Sequence, residues 1–414
     1  MHDNLYGRFI EGGRAFEITD PRTPMPWTNV VCNGRYGFVV SQNGGGFSWL
    51  DHCQLNVITR WEMDLARDDH GRFLYIADLD EPEHSANRVW SASPQPCRKA
   101  FDHYRCVHRP GSTTFETESN GVRVHWTLAV TPEDTGEVWR VRVINASGRP
   151  RRVRLAAFFE WCCGTAPDVK REFHRLFFDT AYDADRRAIV ATKCLWEAPF
   201  GNADDHWNRG WPHAAAMGVS GVDEGAELAI ADKRSFLGRY GDPSAPESLT
   251  TNTPGPGRFG RFGDAVCALG GDVTLGAGES RTVCYTLAVG DDREGALALV
   301  ERFTDERACS RAIEVAESDW GERLDSTRDA LGADRFRPDE PDVAALPGDQ
   351  RALWGRTGYF QQSGAFGFRD QLQDSQVWLP IDPDHCAQQI MMHAALSVRG
   401  RQRLPLVEPA DRDG

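Results

Sequence analysis

The 414-residue chain carries 47 Lys and Arg against 61 Asp and Glu, a formal net charge of −14, and 40% of its residues are apolar. The surplus of carboxylates argues against a nucleic-acid partner, which is gripped by surplus Lys and Arg, and no apolar run approaches the roughly 20 residues that span a bilayer. A chain of this length exceeds one ordinary core and implies two or three domains.

At the N-terminus, Met1-His2-Asp3-Asn4-Leu5-Tyr6 has neither a basic stretch nor an apolar one. That predicts no signal peptide and a cytoplasmic protein. The eleven cysteines are scattered, with only Cys162-Cys163 adjacent and no C-x-x-C spacing. They read as reduced, buried thiols rather than a zinc site, and no metal or cofactor is expected.

To about Gly290 the pattern is mostly strand. Gly44-Gly45-Gly46 lacks the strand-to-helix context of a phosphate loop, which excludes a nucleotide site. Val122–Leu128 and Val138–Ile144 alternate apolar and polar residues at period two. Asn145-Ala146-Ser147-Gly148 is turn material; its match to a glycosylation sequon is read as a turn, and Arg152–Phe159 runs back, so the segment is expected to be a hairpin. His206-Trp207-Asn208-Arg209-Gly210-Trp211-Pro212 sets two indoles beside polar donors, either a sugar-stacking surface or a core turn. Asp272–Leu275, Gly276–Glu279 and Thr282–Leu287 make another strand-turn-strand. Many strands joined by Gly, Pro and Asn turns imply one large antiparallel β-sandwich over residues 1–290.

After Gly290 the period changes. Asp291-Asp292 can cap a helix with Ala296, Leu299, Val300 and Phe303 on one face. A second helix is expected from about Asp305 to Leu331, with a stripe of Ala308, Ala312, Ile313, Val315, Ala316, Trp320 and Leu324. Residues 291–333 therefore read as a helical linker, and 334–414 as the start of a further domain with a helix over Asp384–Leu396. In that last part, Gly358-Tyr359-Phe360-Gln361-Gln362-Ser363-Gly364-Ala365-Phe366-Gly367-Phe368-Arg369-Asp370-Gln371-Leu372-Gln373-Asp374 joins a glycine-rich turn to an arginine, two carboxylates and several amides. Arg offers planar donors to vicinal hydroxyls, and Asp370 and Asp374 can accept from them. The bland alternative is a salt-bridged loop closing a helix pair.

This run resembles the opening of the catalytic domain in glycoside hydrolase family 94, the inverting, cellobiose phosphorylase-like disaccharide phosphorylases. Thr23-Pro24-Met25-Pro26-Trp27-Thr28-Asn29, Gly44-Gly45-Gly46-Phe47-Ser48-Trp49 and Arg171-Glu172-Phe173-His174-Arg175 also resemble family sequences. As isolated words they read as architectural. The resemblance covers nearly the whole chain. It implies an N-terminal antiparallel β-supersandwich, a helical linker and the beginning of an incomplete (α/α)6 barrel. It implies phosphate-dependent cleavage of a β-linked disaccharide, with inorganic phosphate as co-substrate and inversion at the sugar carbon. Arg369, Asp370, Gln373 and Asp374 would hold the non-reducing sugar, and the partner beyond the saccharide would be a second copy in a homodimer.

The resemblance puts the general acid and the phosphate site further along than this chain runs, so no residue is nominated as the acid and the chain is expected to be inactive as written. After Ala394-Ala395 the sequence Val398-Arg399-Gly400-Arg401-Gln402-Arg403-Leu404-Pro405 departs from the family. One codon choice for this tail, read one base later, gives a Phe-Glu-Gly-Asp and His-Trp-Trp word that resembles the family's continuation. The tail 397–414 is therefore expected to be out of frame, and 342–352 is open to the same reading or to a divergent loop. Two other readings stay open: a carbohydrate-binding or scaffold sandwich without catalysis, and a hydrolase that uses water.

Overall fold

The computed structural model describes residues 4–166, 172–195, 210–331, 359, 362, 372–373, 375–376, 379 and 383–395. Its strands form two antiparallel sheets. The larger runs in the order β1 (Gly7–Ile10), β2 (Ala15–Ile18), β9 (His103–Arg109), β10 (Ser112–Ser119), β11 (Val122–Val130), β12 (Gly136–Asn145), β20 (Ser280–Gly290), β16 (Ala214–Ser220), β15 (Ala188–Lys193), β14 (Phe178–Asp183) and β18 (Gly260–Arg261). The smaller runs β17 (Glu227–Asp232), β19 (Ala265–Leu275), β13 (Arg151–Gly164), β6 (Val57–Thr59), β5 (Ser48–Leu50), β4 (Tyr36–Ser41) and β3 (Thr28–Cys32). In addition, β7 (Phe73–Asp78) pairs with both β13 and β8 (Val89–Ser91).

The inner faces of the two sheets share one core. Period-two alternation supplies it from both sides: Trp139, Val141 and Val143 from β12, and Val153, Leu155, Ala157, Phe159 and Trp161 from β13. Cross-strand rings stitch the larger sheet, with Phe115 stacked on Trp126 at 5.2 Å and Trp126 edge-on to Trp139 at 5.3 Å. Such pairs add about 0.5–1.5 kcal/mol each beyond the area they bury.

The expected hairpin across Asn145–Gly148 is not one. β12 pairs with β11 and β20 in the larger sheet, whereas β13 pairs with β19, β7 and β6 in the smaller. The chain crosses between sheets here, and it crosses again between β19 and β20. The two crossings lie side by side and are tied by the buried Asn145, whose Nδ2 donates to the carbonyls of Arg149 (2.8 Å), Leu275 (3.3 Å) and Gly276 (2.9 Å). Asn145 is thus an internal brace, not a free surface asparagine.

Helices cover parts of both outer faces. α1 (Lys233–Leu237) and α2 (Glu247–Thr250) pack Phe236, Leu237 and Leu249 onto Phe73, Tyr75 and Phe158 of the smaller sheet. On the larger sheet, α3 (Arg293–Phe303) is capped by Asp292, whose carboxylate accepts from Gly295 N at 2.8 Å. It lays Ala296, Leu297 and Val300 on a bed of Ala188, Ala214, Ala216 and Ala288. Small residues permit that approach: a Cβ at Gly218 would lie 2.2 Å from Val300 Cγ1. α4 (Glu306–Leu331) then buries Cys309, Ala312, Ile313 and Ala316 against Ala129, Val138 and Cys284. Ala308 and Val315 of the expected stripe are only half-buried, and Cys309 takes the inward place. A last helix, α5, spans Pro383–Ala395. The cysteines form no disulfide among the described residues, and all but Cys32 and Cys194 are buried. Among the described residues no helix is long and apolar enough to cross a membrane.

Candidate functional site

The outer face of the smaller sheet has a second apolar patch at the end opposite α1 and α2. Val30, Val39, Phe47, Trp49, Val57, Trp61 and Cys162 form it, and Tyr359 is inserted among them. This ties the start of the saccharide-type run to the sandwich. The Tyr359 ring meets Trp61 edge-on at 4.8 Å, and Trp61 leans on Phe47 at 5.4 Å.

The polar end of Tyr359 is handled by a turn that the sequence marked only by its glycines. The Tyr359 hydroxyl donates to Asp68 Oδ1. Asp68 Oδ2 accepts from Ser41 Oγ at 2.6 Å and from Asn43 Nδ2 at 3.2 Å. Ser41 Oγ accepts in turn from the amides of Asn43 and Gly45, both at 3.1 Å, which folds the chain back over the carboxylate. Gly45 has no room for a side chain: a Cβ there would sit 1.9 Å from Asp68 Oδ1. Gly46 adopts φ +135°, and Asp68 itself lies at φ +49°, a backbone region that few non-glycine residues occupy. Burial pushes the Asp68 carboxyl up to about 6, against the pull of its bonds to Ser41, Tyr359 and Asn43; Asp69 adds to the rise.

A second buried carboxylate lies between the sheets, and no motif marks it. Glu137 accepts from Tyr36 OH (3.1 Å), Ser48 Oγ (2.5 Å) and Trp139 Nε1 (2.8 Å), and Arg72 Nε lies 3.4 Å away. Arg72 also donates to Ser48 Oγ and, at 3.1 Å, to the Val39 carbonyl. The Phe47-Ser48-Trp49 word therefore splits by strand parity: Ser48 faces inward to this network, while Phe47 and Trp49 face outward to Tyr359.

Of the residues expected to hold sugar, Gln373 is exposed in helical backbone. Arg369, Asp370 and Asp374 lie outside the described residues, as do 342–352 and 397–414. His206–Arg209 are also outside them, but Trp211 is buried and donates through Nε1 to Asn56 Oδ1 at 3.0 Å, a core indole. Asn29 is likewise architectural, with Nδ2 bound to the carbonyls of Arg109 (2.8 Å) and Ser112 (2.9 Å). His174 is buried, and Arg175 donates to Glu160 at 3.0 Å. A polar groove of about 790 Å³ lies on the other outer face, between α4 and the row Glu116, His125, Arg142 and Thr282. Many of its side chains bind one another: Thr114 with Thr127, Arg109 with Glu11, Arg140 with Ser310. Among the described residues no cluster of His, Cys, Asp and Glu could hold a metal ion.

Two stacked antiparallel sheets of this size, with helices on both outer faces, define a supersandwich. The same fold appears in a bacterial glucoamylase solved with acarbose, at TM-score 0.53 and 6% identity over 90% of this chain and 51% of that one. The family model for the glycosyl hydrolase 94 supersandwich domain matches residues 14–306, so the chain belongs to that family. It is 24% identical to an N,N'-diacetylchitobiose phosphorylase from Vibrio proteolyticus over 98% of this chain and 48% of the relative. It is 27% identical to the cyclic β-(1,2)-glucan synthase NdvB of Rhizobium meliloti (strain 1021), over 95% of this chain and 13% of the relative. The chain thus spans about half of the phosphorylase and a small part of the synthase.

Proposed function

We propose that the chain supplies the sandwich and the saccharide-handling entry segment of an inverting β-disaccharide phosphorylase. In this reading a carboxylic acid protonates the departing glycosidic oxygen, and inorganic phosphate attacks the opposite face of the sugar, giving an α-sugar 1-phosphate and an acceptor sugar. Phosphate replaces the base-activated water of an inverting hydrolase, so a second catalytic carboxylate is not required. Arg369, Asp370, Gln373 and Asp374 hold the non-reducing sugar, and the proton donor and phosphate site lie C-terminal to that run. Family membership and the disaccharide phosphorylases among the relatives support this. The single observation that carries it is Tyr359, seated on the sandwich ten positions before Arg369.

The test pairs binding with turnover. The 414-residue chain is titrated with cellobiose and N,N'-diacetylchitobiose, and phosphate-dependent release of sugar 1-phosphate is assayed in parallel. Feeble sugar binding that is lost in Arg369→Ala and Asp370→Asn is expected, with phosphorolysis only when the family's downstream region is fused in frame. Without a positioned proton donor the rate falls by about 10²–10⁴-fold from that cause alone. Robust phosphorolysis by the chain alone would overturn the assignment of the acid. Absence of sugar 1-phosphate from the fused protein, with sugar still bound, would favour a carbohydrate-binding sandwich.

A further inference from the structure

Asp68 is 3% exposed, yet among the described residues no cation touches it. Among the described residues, the charged groups near it are Asp64, Arg67, Asp69 and His70 of its own loop, and Asp69 engages both Arg67 (2.9 Å) and His70 (3.3 Å). The Ser41–Gly46 turn and Tyr359 bring no charge. Three neutral donors converge on the carboxylate instead, from Ser41, Asn43 and Tyr359. A buried anion held by neutral donors and without a cation beside it opposes stability, and such groups cluster where function gains from them.

Resting on the reading that the run after Tyr359 handles the sugar, we infer that Asp68 is a positioning residue: its carboxylate, aimed by Ser41 and Asn43, captures the Tyr359 hydroxyl and fixes where the saccharide-handling run enters against the sandwich. The carboxylate is suited to this because it accepts only. A carboxamide would turn an NH₂ toward one of the three donors, and a protonated acid would add a hydrogen where donors already point. Gly45 and Gly71 let the turn close over the site, since a Cβ at Gly71 would lie 2.5 Å from the Gly44 carbonyl. The aromatic wall of Trp61 and Phe47 gives Tyr359 its depth, and Asp68 gives it its register. The contact joins residues 291 positions apart, so it ties Tyr359 to the sandwich and not to a neighbouring turn.

Hydrogen–deuterium exchange on the full chain, read by mass spectrometry, tests this without any substrate. The reporter peptide covers residues 356–366, and a peptide from β10–β11 serves as the sandwich reference. Asp68→Asn and Tyr359→Phe should each speed exchange of the reporter about tenfold or more at pH 7.5, the effect of losing one hydrogen bond to a charged group. The double variant should be no faster than either single one. In the wild type, protection corrected for intrinsic rate should fall between pH 7.5 and pH 5, and Asp68→Asn should abolish that dependence. Unchanged reporter exchange in both single variants, or loosening of the β10–β11 peptide in step with the reporter, would overturn the proposal. A fused protein that shows the seat but releases no sugar 1-phosphate would count against the proposed function alone.

Discussion

The middle of the sandwich and the seat of Tyr359 each bury a carboxylate, and they surround it differently. Glu137 has a guanidinium beside it and three further donors, so its charge is matched where it lies. Asp68 has donors but, among the described residues, no cation, and burial pushes its carboxyl up to about 6. The first arrangement fixes how the two sheets face each other. The second opposes folding at neutral pH and binds a residue from the far end of the chain. Burial alone therefore does not say whether an acidic residue serves the fold or something the fold carries; the partners do.

The sharpest way to break this comparison is to remove Arg72. Arg72→Ala leaves Glu137 buried and uncompensated, and should cost about 3–5 kcal/mol in urea denaturation. Replacing both partners, Arg72→Met with Glu137→Leu, should recover most of the loss. A single variant as stable as the wild type would remove the claim that this pair fixes the sheets.

Glu160, on the central strand β13 of the smaller sheet, offers an intermediate case. Burial would raise its carboxyl, but Lys233 at 2.5 Å and Arg60 at 2.9 Å hold it down at about 2, and Arg175 bonds it as well. Because the folded value lies below the 4.5 of a free glutamate, its stabilisation is present above pH 4.5 and lost as pH falls through about 2. Glu160→Gln should therefore lose about 2–3 kcal/mol at pH 7, with the gap to wild type closing toward pH 2.

Asp68 should behave in the opposite sense. Its folded value lies above the 3.8 of a free aspartate, so the contribution is favourable below pH 3.8 and is lost as pH rises through about 6. Asp68→Asn should raise stability at pH 7.5 by about 1–3 kcal/mol while loosening Tyr359, and should match the wild type below pH 4. A loss of stability at pH 7.5 would make Asp68 another structural carboxylate like Glu137. The smallest effect is expected at the exposed Arg302–Asp134 pair, 2.8 Å apart, where Arg302→Ala should change the melting free energy by less than about 1 kcal/mol.

Much of the fold could be read from the chain. Period-two runs located β11, β12, β13, β19 and β20, and the switch to a three-to-four-residue period found α3 and α4, with Asp292 as the cap. The word around Gly44–Gly46 was legible as architectural, and the run containing Tyr359 and Arg369 pointed to saccharide chemistry. Two things were not readable. One was the partner of each strand: β12 and β13 each bury alternate residues in the same core, so their pattern is identical whether the chain turns back within one sheet or crosses to the other. The second was the use of each polar residue. Arg72, Glu137 and Asp68 carry no motif, and Ser48 sits in a family-like word whose two faces do different work.

What the sequence determined by itself was the set of local choices: which segments are strands or helices, which face of each is apolar, where the turns need glycine, and which family the chain resembles. These follow from backbone sterics and side-chain periodicity over a few residues. The tertiary structure alone decided that Asn145 braces two crossings, that Arg72 lies against Glu137, and that Tyr359 closes on Asp68 across 291 positions. Such contacts depend on which surfaces meet when the shared core is buried, and on whether a buried charge finds a cation or only neutral donors. Neither is encoded in any short stretch of the chain.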